Sequence, residues 1–192
     1  GLRKNPQGYS EKLQRLIELI SGIHYQKLVF VSTTGVYPAA EKVMIEQDAS
    51  PHSEVSAKLL EAETMFSGLD NSCIARFAGL VGPKRHPGRF LAGRTDLPQP
   101  DAGVNIVHLN DCVQAVSTMI FEPTAAGIYN VCAPIHPSRA EFYRQASLDL
   151  GLVAPQFCQQ SGGGKTISSN RLVNELNFHY QFSNPLDMLA AC

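Results

Sequence analysis

Hydroxyl side chains gather at the end of one apolar run, in Val31-Ser-Thr-Thr-Gly-Val-Tyr-Pro38. In an open α/β sheet, ligands lie in the crevice beyond the carboxyl ends of the strands. A hydroxyl there can bond a substrate carbonyl or alcohol, although serine and threonine also satisfy backbone groups in ordinary turns. Lys58 stands early in the next helical stretch. Facing a cofactor it would bond ribose hydroxyls and lower a neighbour's pKa; as a surface residue it would do neither. A second strand-to-turn passage, Arg76-Phe-Ala-Gly-Leu-Val-Gly-Pro83, carries the small residues Ala78 and Gly79, which would let a flat ligand approach the backbone. Lys84-Arg-His-Pro-Gly-Arg89, with Arg94 nearby, is a dense basic cluster in a chain of net charge −1. Guanidinium forks suit phosphate or carboxylate, and the bland alternative is a solvated loop.

Other chemistries are excluded by dispersal. The 5 cysteines, Cys73, Cys112, Cys132, Cys158 and Cys192, form no close pair. An odd, scattered set argues against a disulfide framework or a zinc site and fits a reducing, cytoplasmic setting. The 6 histidines contain no His-x3-His pair, so no metal is expected. Gly162-Gly-Gly-Lys-Thr166 fails as a phosphate-binding loop, because Gln159 stands where that motif needs glycine. The near-neutral charge excludes a nucleic-acid partner, and no apolar run is long enough for a membrane span.

These residues need a scaffold. The chain has 192 residues, 44% hydrophobic and 17% charged, enough for one domain or one and a fraction. Pro6 can open a helix with Leu13, Leu16, Ile17 and Ile20 at helical spacing and Gly22 as its stop. Lys27–Val31 reads as a strand buried on both faces. A polar loop spans Pro38–Pro51, and a helix with Val55, Leu59, Ala62 and Phe66 on one face runs from about Ser53 to Ser67. Cys73–Phe77, Val104–Val107, Gly127–Cys132 and Lys165–Ile167 read as further strands. Helices start from Asn110 or Asp111, from Ser138 with Glu141 in a capping-box pattern, and from Ser168 or Ser169. Alternating helix and strand predicts an α/β fold with a mostly parallel sheet.

Taken in order, the motifs resemble the extended short-chain dehydrogenase/reductases, the NAD-dependent epimerase/dehydratase family. Its S-S-x-x-V-Y-G turn is matched by Ser32–Pro38, its R-x-x-N-x-x-G-P turn by Arg76–Pro83, its H-V-x-D segment by His108–Asp111, and its G-x-x-Y-N-V strand by Gly127–Val131. Gly82–Phe90 and Ser169–Phe178 are similar to runs in an atypical bacterial subgroup. The resemblance implies a partial Rossmann-like parallel sheet with helices on both faces and a small C-terminal α+β substrate region. Residues 1–83 would form the trailing half of an NAD(P)-binding domain. Residues 84–192 would be mainly substrate-binding, with a returning strand near 127–132.

By the same resemblance, Thr33 would bond the reacting oxygen, Lys58 would hold the nicotinamide ribose, and Phe77, Ala78 and Gly79 would lie beside the nicotinamide. Charge, not the family, suggests Arg85, His86 and Arg89 for a substrate anion. Tyr37 is a conceivable substrate-side proton donor. Two departures count. The family's Tyr-x-x-x-Lys has Glu54 in place of tyrosine, four residues before Lys58. Glu54 could be a base if desolvated, or could simply pair with Lys58 along the helix. Also, no G-x-G-x-x-G occurs in the chain, so a cofactor pyrophosphate has no helix N-terminus to hold it.

The expectations are an NAD- or NADP-dependent oxidoreductase, epimerase or dehydratase acting, at full length, on a small anionic or nucleotide-linked molecule, or a catalytically impaired relative that binds a dinucleotide or a protein. The chain starts at Gly1, and by family analogy about four strands, on the order of 80 residues, would precede it. Tight NAD(P) binding is not expected of the 192 residues by themselves. The edge of Lys27–Val31 is expected to be covered by a second copy, as a homodimer, or by an N-terminal segment.

Overall fold

A computed structural model describes residues 7–158 and 162–192. Pro6, expected to open the first helix, and Gln159 lie outside the described residues. The elements in order are α1 (Gln7–Ile20), β1 (Leu28–Thr33), β2 (Val43–Met44), α2 (Glu54–Ser67), β3 (Ser72–Phe77), β4 (Gly79–Val81), α3 (Gly88–Leu91), β5 (Ile106–His108), α4 (Leu109–Phe121), β6 (Gly127–Val131), α5 (Arg139–Asp149), β7 (Thr166–Ile167) and α6 (Asn170–Leu176), with 3-10 turns at Thr34–Val36, Glu46–Asp48 and Pro185–Ala191.

The main sheet is parallel in the order β1-β3-β6. β4 pairs with β5, and β2 with β7, as separate parallel ribbons. The fold is thus α/β with parallel sheets flanked by helices. Side chains alternate across a strand, so each helix layer meets its own set. On one face Phe30 stacks on Phe66 of α2 at 4.2 Å, and Ser32 bonds Glu63 of the same helix. On the other, Cys73 and Ala75 share a core with Cys112, Ala115 and Met119 of α4.

Local chemistry explains the helix starts. Ser53 caps α2 by accepting from Ser56 N at 3.1 Å, and Ser138 caps α5 by accepting from Glu141 N at 3.2 Å. The cap of α4 differs from expectation. It is His108, whose Nδ1 accepts from Asn110 N at 3.2 Å. Asp111 is drawn inward instead, accepting from Gln181 N at 2.6 Å and Phe182 N at 3.3 Å.

Two further expectations are corrected. β1 is not buried on both faces: it pairs with β3 on one side only among the described residues, and Val31 is 50% exposed. The stretch Pro38–Pro51 is not a plain loop. It contains β2, whose pairing with β7 fastens it to the C-terminal part of the chain. A parallel partner so distant in sequence leaves no local signal.

Two apolar cores result. The first surrounds the main sheet and takes in Leu172, Leu176 and Phe178 from the chain's end. The second joins Val81, Val104 and Ile106 to Phe142, Ala146 and Met188. Gly88 brings α3 onto α5: a Cβ there would lie 2.0 Å from Ala146 O, and Ser147 Oγ donates to Gly88 O at 3.1 Å. This contact fixes the basic loop against α5 and so shapes the cleft described next.

Candidate functional site

The tips of the main strands form one row, with Thr33 opposite Phe77 and Phe77 opposite Val131. Thr33 Oγ1 accepts from Gly35 N at 3.2 Å, capping the 3-10 turn. Among the described residues the Thr33 hydroxyl donates no hydrogen bond, so it can still donate to a ligand oxygen. Phe77 is half-buried, Ala78 is buried and Gly79 is exposed. The glycine serves a strand contact: Gly79 N donates to Asn105 O at 2.9 Å, and a Cβ would come within 3.0 Å of that oxygen.

Beneath the tips lies a buried polar network. Arg76, 2% exposed, donates through Nε and Nη2 to Glu63, with the closest contact 2.6 Å. Its Nη1 donates to Tyr37 Oη at 2.8 Å and Glu46 O at 2.7 Å. Ser32 Oγ donates to Glu63 Oε1 at 2.5 Å, and Tyr37 Oη donates to Asn130 Oδ1 at 2.6 Å. Asn130 N donates to Glu46 Oε1 at 2.9 Å. The substrate role expected for Tyr37 is therefore corrected. The residue is 0% exposed with its hydroxyl bonded on both sides, and burial pushes its phenol up while the Arg76 charge offsets that only in part.

Glu54 and Lys58 do not form the expected pair. Glu54 is exposed in the first turn of α2, where unpaired N–H groups favour a carboxylate without any lysine. Lys58 Nζ reaches Glu61 Oε2 at 2.7 Å instead, and that hydrogen bond holds the Glu61 carboxyl below its ordinary range. The turn of α2 that bears Lys58 lies beside the strand-tip turn, for Leu59 Cδ1 would be 3.9 Å from a Cβ at Gly35.

From these tips the chain runs into a cleft of about 240 Å³, floored by β4 and β5 and walled by α3 and α5. Arg85 and Phe90 stand on one wall, Arg139 and Tyr143 on the other, with Gly79 and Asn105 between. Arg85 Nε donates to Leu80 O at 2.8 Å, and its guanidinium lies over the Phe90 ring at 5.3 Å. Arg139 Nη1 donates to Pro98 O at 2.7 Å, over Phe157 at 5.6 Å. Burial pushes the Tyr143 phenol up, so it stays a neutral donor. Two cations and no carboxylate line the cleft, which suits an anion carrying a flat portion.

Of the basic cluster, then, Arg85 alone lines this cleft. His86 is corrected: its Nδ1 accepts from Gly88 N at 3.0 Å and so caps the turn into α3. Arg89 is exposed and does not line the cleft. Arg139, Asn105 and Tyr143 were not foreseen, because nothing marks a polar residue on an ordinary helix or strand as facing a distant loop. Among the described residues no cluster of histidine, cysteine or acid suits a metal, and no helix is long and apolar enough to cross a membrane.

No family model matches the chain. Protein YeeZ of Escherichia coli K12 is 40% identical over 185 residues, covering 94% of this chain and 67% of YeeZ. The chain belongs to the YeeZ family. Among solved structures, a conserved protein of unknown function from Silicibacter pomeroyi superposes with TM-score 0.79 at 21% identity, covering 94% of this chain and 70% of its own. A putative NAD-dependent epimerase/dehydratase from Methylobacillus flagellatus gives 0.74 at 22% identity, over 95% and 68% of the two chains. UDP-glucuronic acid 4-epimerase from Bacillus cereus, solved with UDP-glucuronic acid and NAD, gives 0.75 at 17% identity, over 93% and 64%. This YeeZ relative therefore has the Rossmann-like fold of NAD-dependent epimerases and dehydratases.

Proposed function

We propose that the protein serves NAD(P)-linked chemistry on a small anionic or nucleotide-linked molecule. The observation that carries this is the cleft where the Gly79–Leu80 edge, next to the strand tips, meets Arg85 and Arg139 with no acid between them. Support comes from the shared fold of an epimerase that binds UDP-glucuronic acid and NAD. Residues 1–83 would supply the cofactor side, and residues 84–192, with the returning strand β6, the substrate side. Thr33 would donate to the reacting oxygen, Lys58 would hold the nicotinamide ribose, and Phe77, Ala78 and Gly79 would flank the nicotinamide. Arg85 and Arg139 would receive the anion.

The fit to a dinucleotide is partial. When bound, nicotinamide accepts or returns a hydride, but these 192 residues contain no G-x-G-x-x-G to take its pyrophosphate. The exposed β1 edge would be covered in the working protein by a second copy or a further segment.

The test is fluorescence titration of NADH and NADPH, with and without UDP-glucuronic acid, on this chain and on E. coli YeeZ. Saturable cofactor binding to YeeZ is expected, and in this chain Arg85→Met and Arg139→Met should weaken any binding of UDP-glucuronic acid while leaving cofactor binding as it was. No binding to either protein at millimolar cofactor overturns the proposal. A second reading, a catalytically impaired binder, is favoured by Glu54 standing exposed where the family has tyrosine. If a turnover is found and Glu54→Gln leaves it unchanged, Glu54 is not the base.

A further inference from the structure

Lys165 follows the glycine run Gly162–Gly164 and enters β7. Its main chain is tied to the cleft floor, since Asn105 Nδ2 donates to Lys165 O at 2.9 Å and Asn105 Oδ1 accepts from Ile167 N at 2.8 Å. Asn105 is also the residue that receives Gly79 N and lines the cleft. From this anchor the Lys165 side chain crosses to the turn after Thr33, where Nζ donates to Tyr37 O at 2.5 Å. One residue thus joins the strand-tip turn to the floor of the cleft.

The ammonium has three N–H donors, and among the described residues one is used. Among the described residues no carboxylate lies within ion-pairing distance, in contrast to Lys42 with Asp48 and Lys58 with Glu61. Lys27 also ends on a carbonyl, Ala125 O, but at the opposite end of the strands. A part-buried cation with one carbonyl for company is costly unless something else neutralises it. Burial holds the Lys165 amine below its ordinary pKa, with no neighbouring charge contributing. Unpaired, desolvated lysines of this kind cluster at functional sites.

We propose that Lys165 is a ligand-binding residue, its spare N–H groups receiving an anionic oxygen, phosphate or carboxylate, that sits between the Thr33 turn and Asn105. The ligand then carries two anionic groups, one on Lys165 and one on the Arg85–Arg139 side of the cleft. This rests on the reading of the cleft as an anion site, and the experiment separates the two.

The lysines are trace-labelled with acetic anhydride at pH 7.5 and quantified by mass spectrometry, with inorganic phosphate or acetate added at constant ionic strength. Phosphate affinity is then measured by calorimetry for the wild type, Lys165→Met, Lys165→Arg and Arg139→Met. Saturable protection of Lys165 beyond that of Lys58 and Lys84 is expected. Affinity should drop at least tenfold in Lys165→Met, with most of it kept in Lys165→Arg. Protection by phosphate but not acetate identifies a phosphoryl group, and the reverse a carboxylate. If Arg139→Met loses affinity while Lys165→Met does not, the cleft stands and Lys165 is only a loop tie. If Lys165→Met fails to fold, unprotected Lys165 in the wild type overturns the proposal just as well. No phosphate or acetate effect on the wild type overturns both.

Discussion

Two arginine settings lie a short way apart in this chain and behave as opposites. Arg76 sits below the strand tips, 2% exposed, with its donors spent on Glu63, Tyr37 and the Glu46 carbonyl. Arg85 and Arg139 stand on the walls of an open cleft, each using one donor on a backbone carbonyl and resting its flat face on a ring. The first arrangement is complete without a ligand; the second leaves guanidinium donors for one. The difference lies in the partners and not in the residue type: a buried carboxylate neutralises one cation, whereas carbonyls and rings leave the others charged and available.

That contrast can be broken most forcefully at Glu63. Glu63→Gln leaves the Arg76 guanidinium buried without its counter-charge, and a loss of about 3–5 kcal/mol in urea unfolding is expected. Replacing both partners, Glu63→Leu with Arg76→Met, should cost clearly less than the two single changes added together, which a double-mutant cycle will show. Tyr37→Phe removes a hydroxyl that accepts from Arg76 and donates to Asn130, and should cost about 1–3 kcal/mol while phosphate binding is unchanged. Arg139→Met should do the reverse, moving stability by less than about 0.5 kcal/mol but abolishing anion binding in the cleft.

The smallest effects belong to exposed ion pairs. Lys58→Ala should lose about 0.3–0.5 kcal/mol, measured by thermal unfolding. Asp48 is held below the usual carboxylate range, first by the Ile45 N–H and then by Lys42. A depressed folded pKa means its contribution is present above about 3.9 and is lost as pH falls through the folded value. An NMR titration should show Asp48 deprotonating below the unfolded range, and Asp48→Asn should flatten the acid limb of stability slightly.

Legibility from sequence followed the range of the forces involved. β1, β3 and β6 were readable as short apolar runs, although β1 proved half-open, α2 by the helical spacing of Val55, Leu59, Ala62 and Phe66, and α5 by Ser138 with Glu141 three residues on. Gly79 and Arg85, singled out from the sequence for a cofactor and an anion, both line the cleft, and Gly79 also makes a close strand contact with Asn105 that spacing does not reveal. Tyr37, His86 and the Glu54–Lys58 pair were misjudged. In each, the deciding partner, such as Asn130, the Gly88 amide or Glu61, competed from a position that spacing could not rank.

By itself the sequence determined the alternation of helices and strands and the turns that carry hydroxyls and small residues to the strand ends, since periodicity, caps and glycine act over a few residues. Tertiary structure alone decided which cation is buried and which is open, and brought Arg139, Asn105 and Lys165 beside residues that lie far from them in the chain. Charge pairing and desolvation depend on distance through space, and the linear order of residues does not contain it until the sheet and the second core have formed.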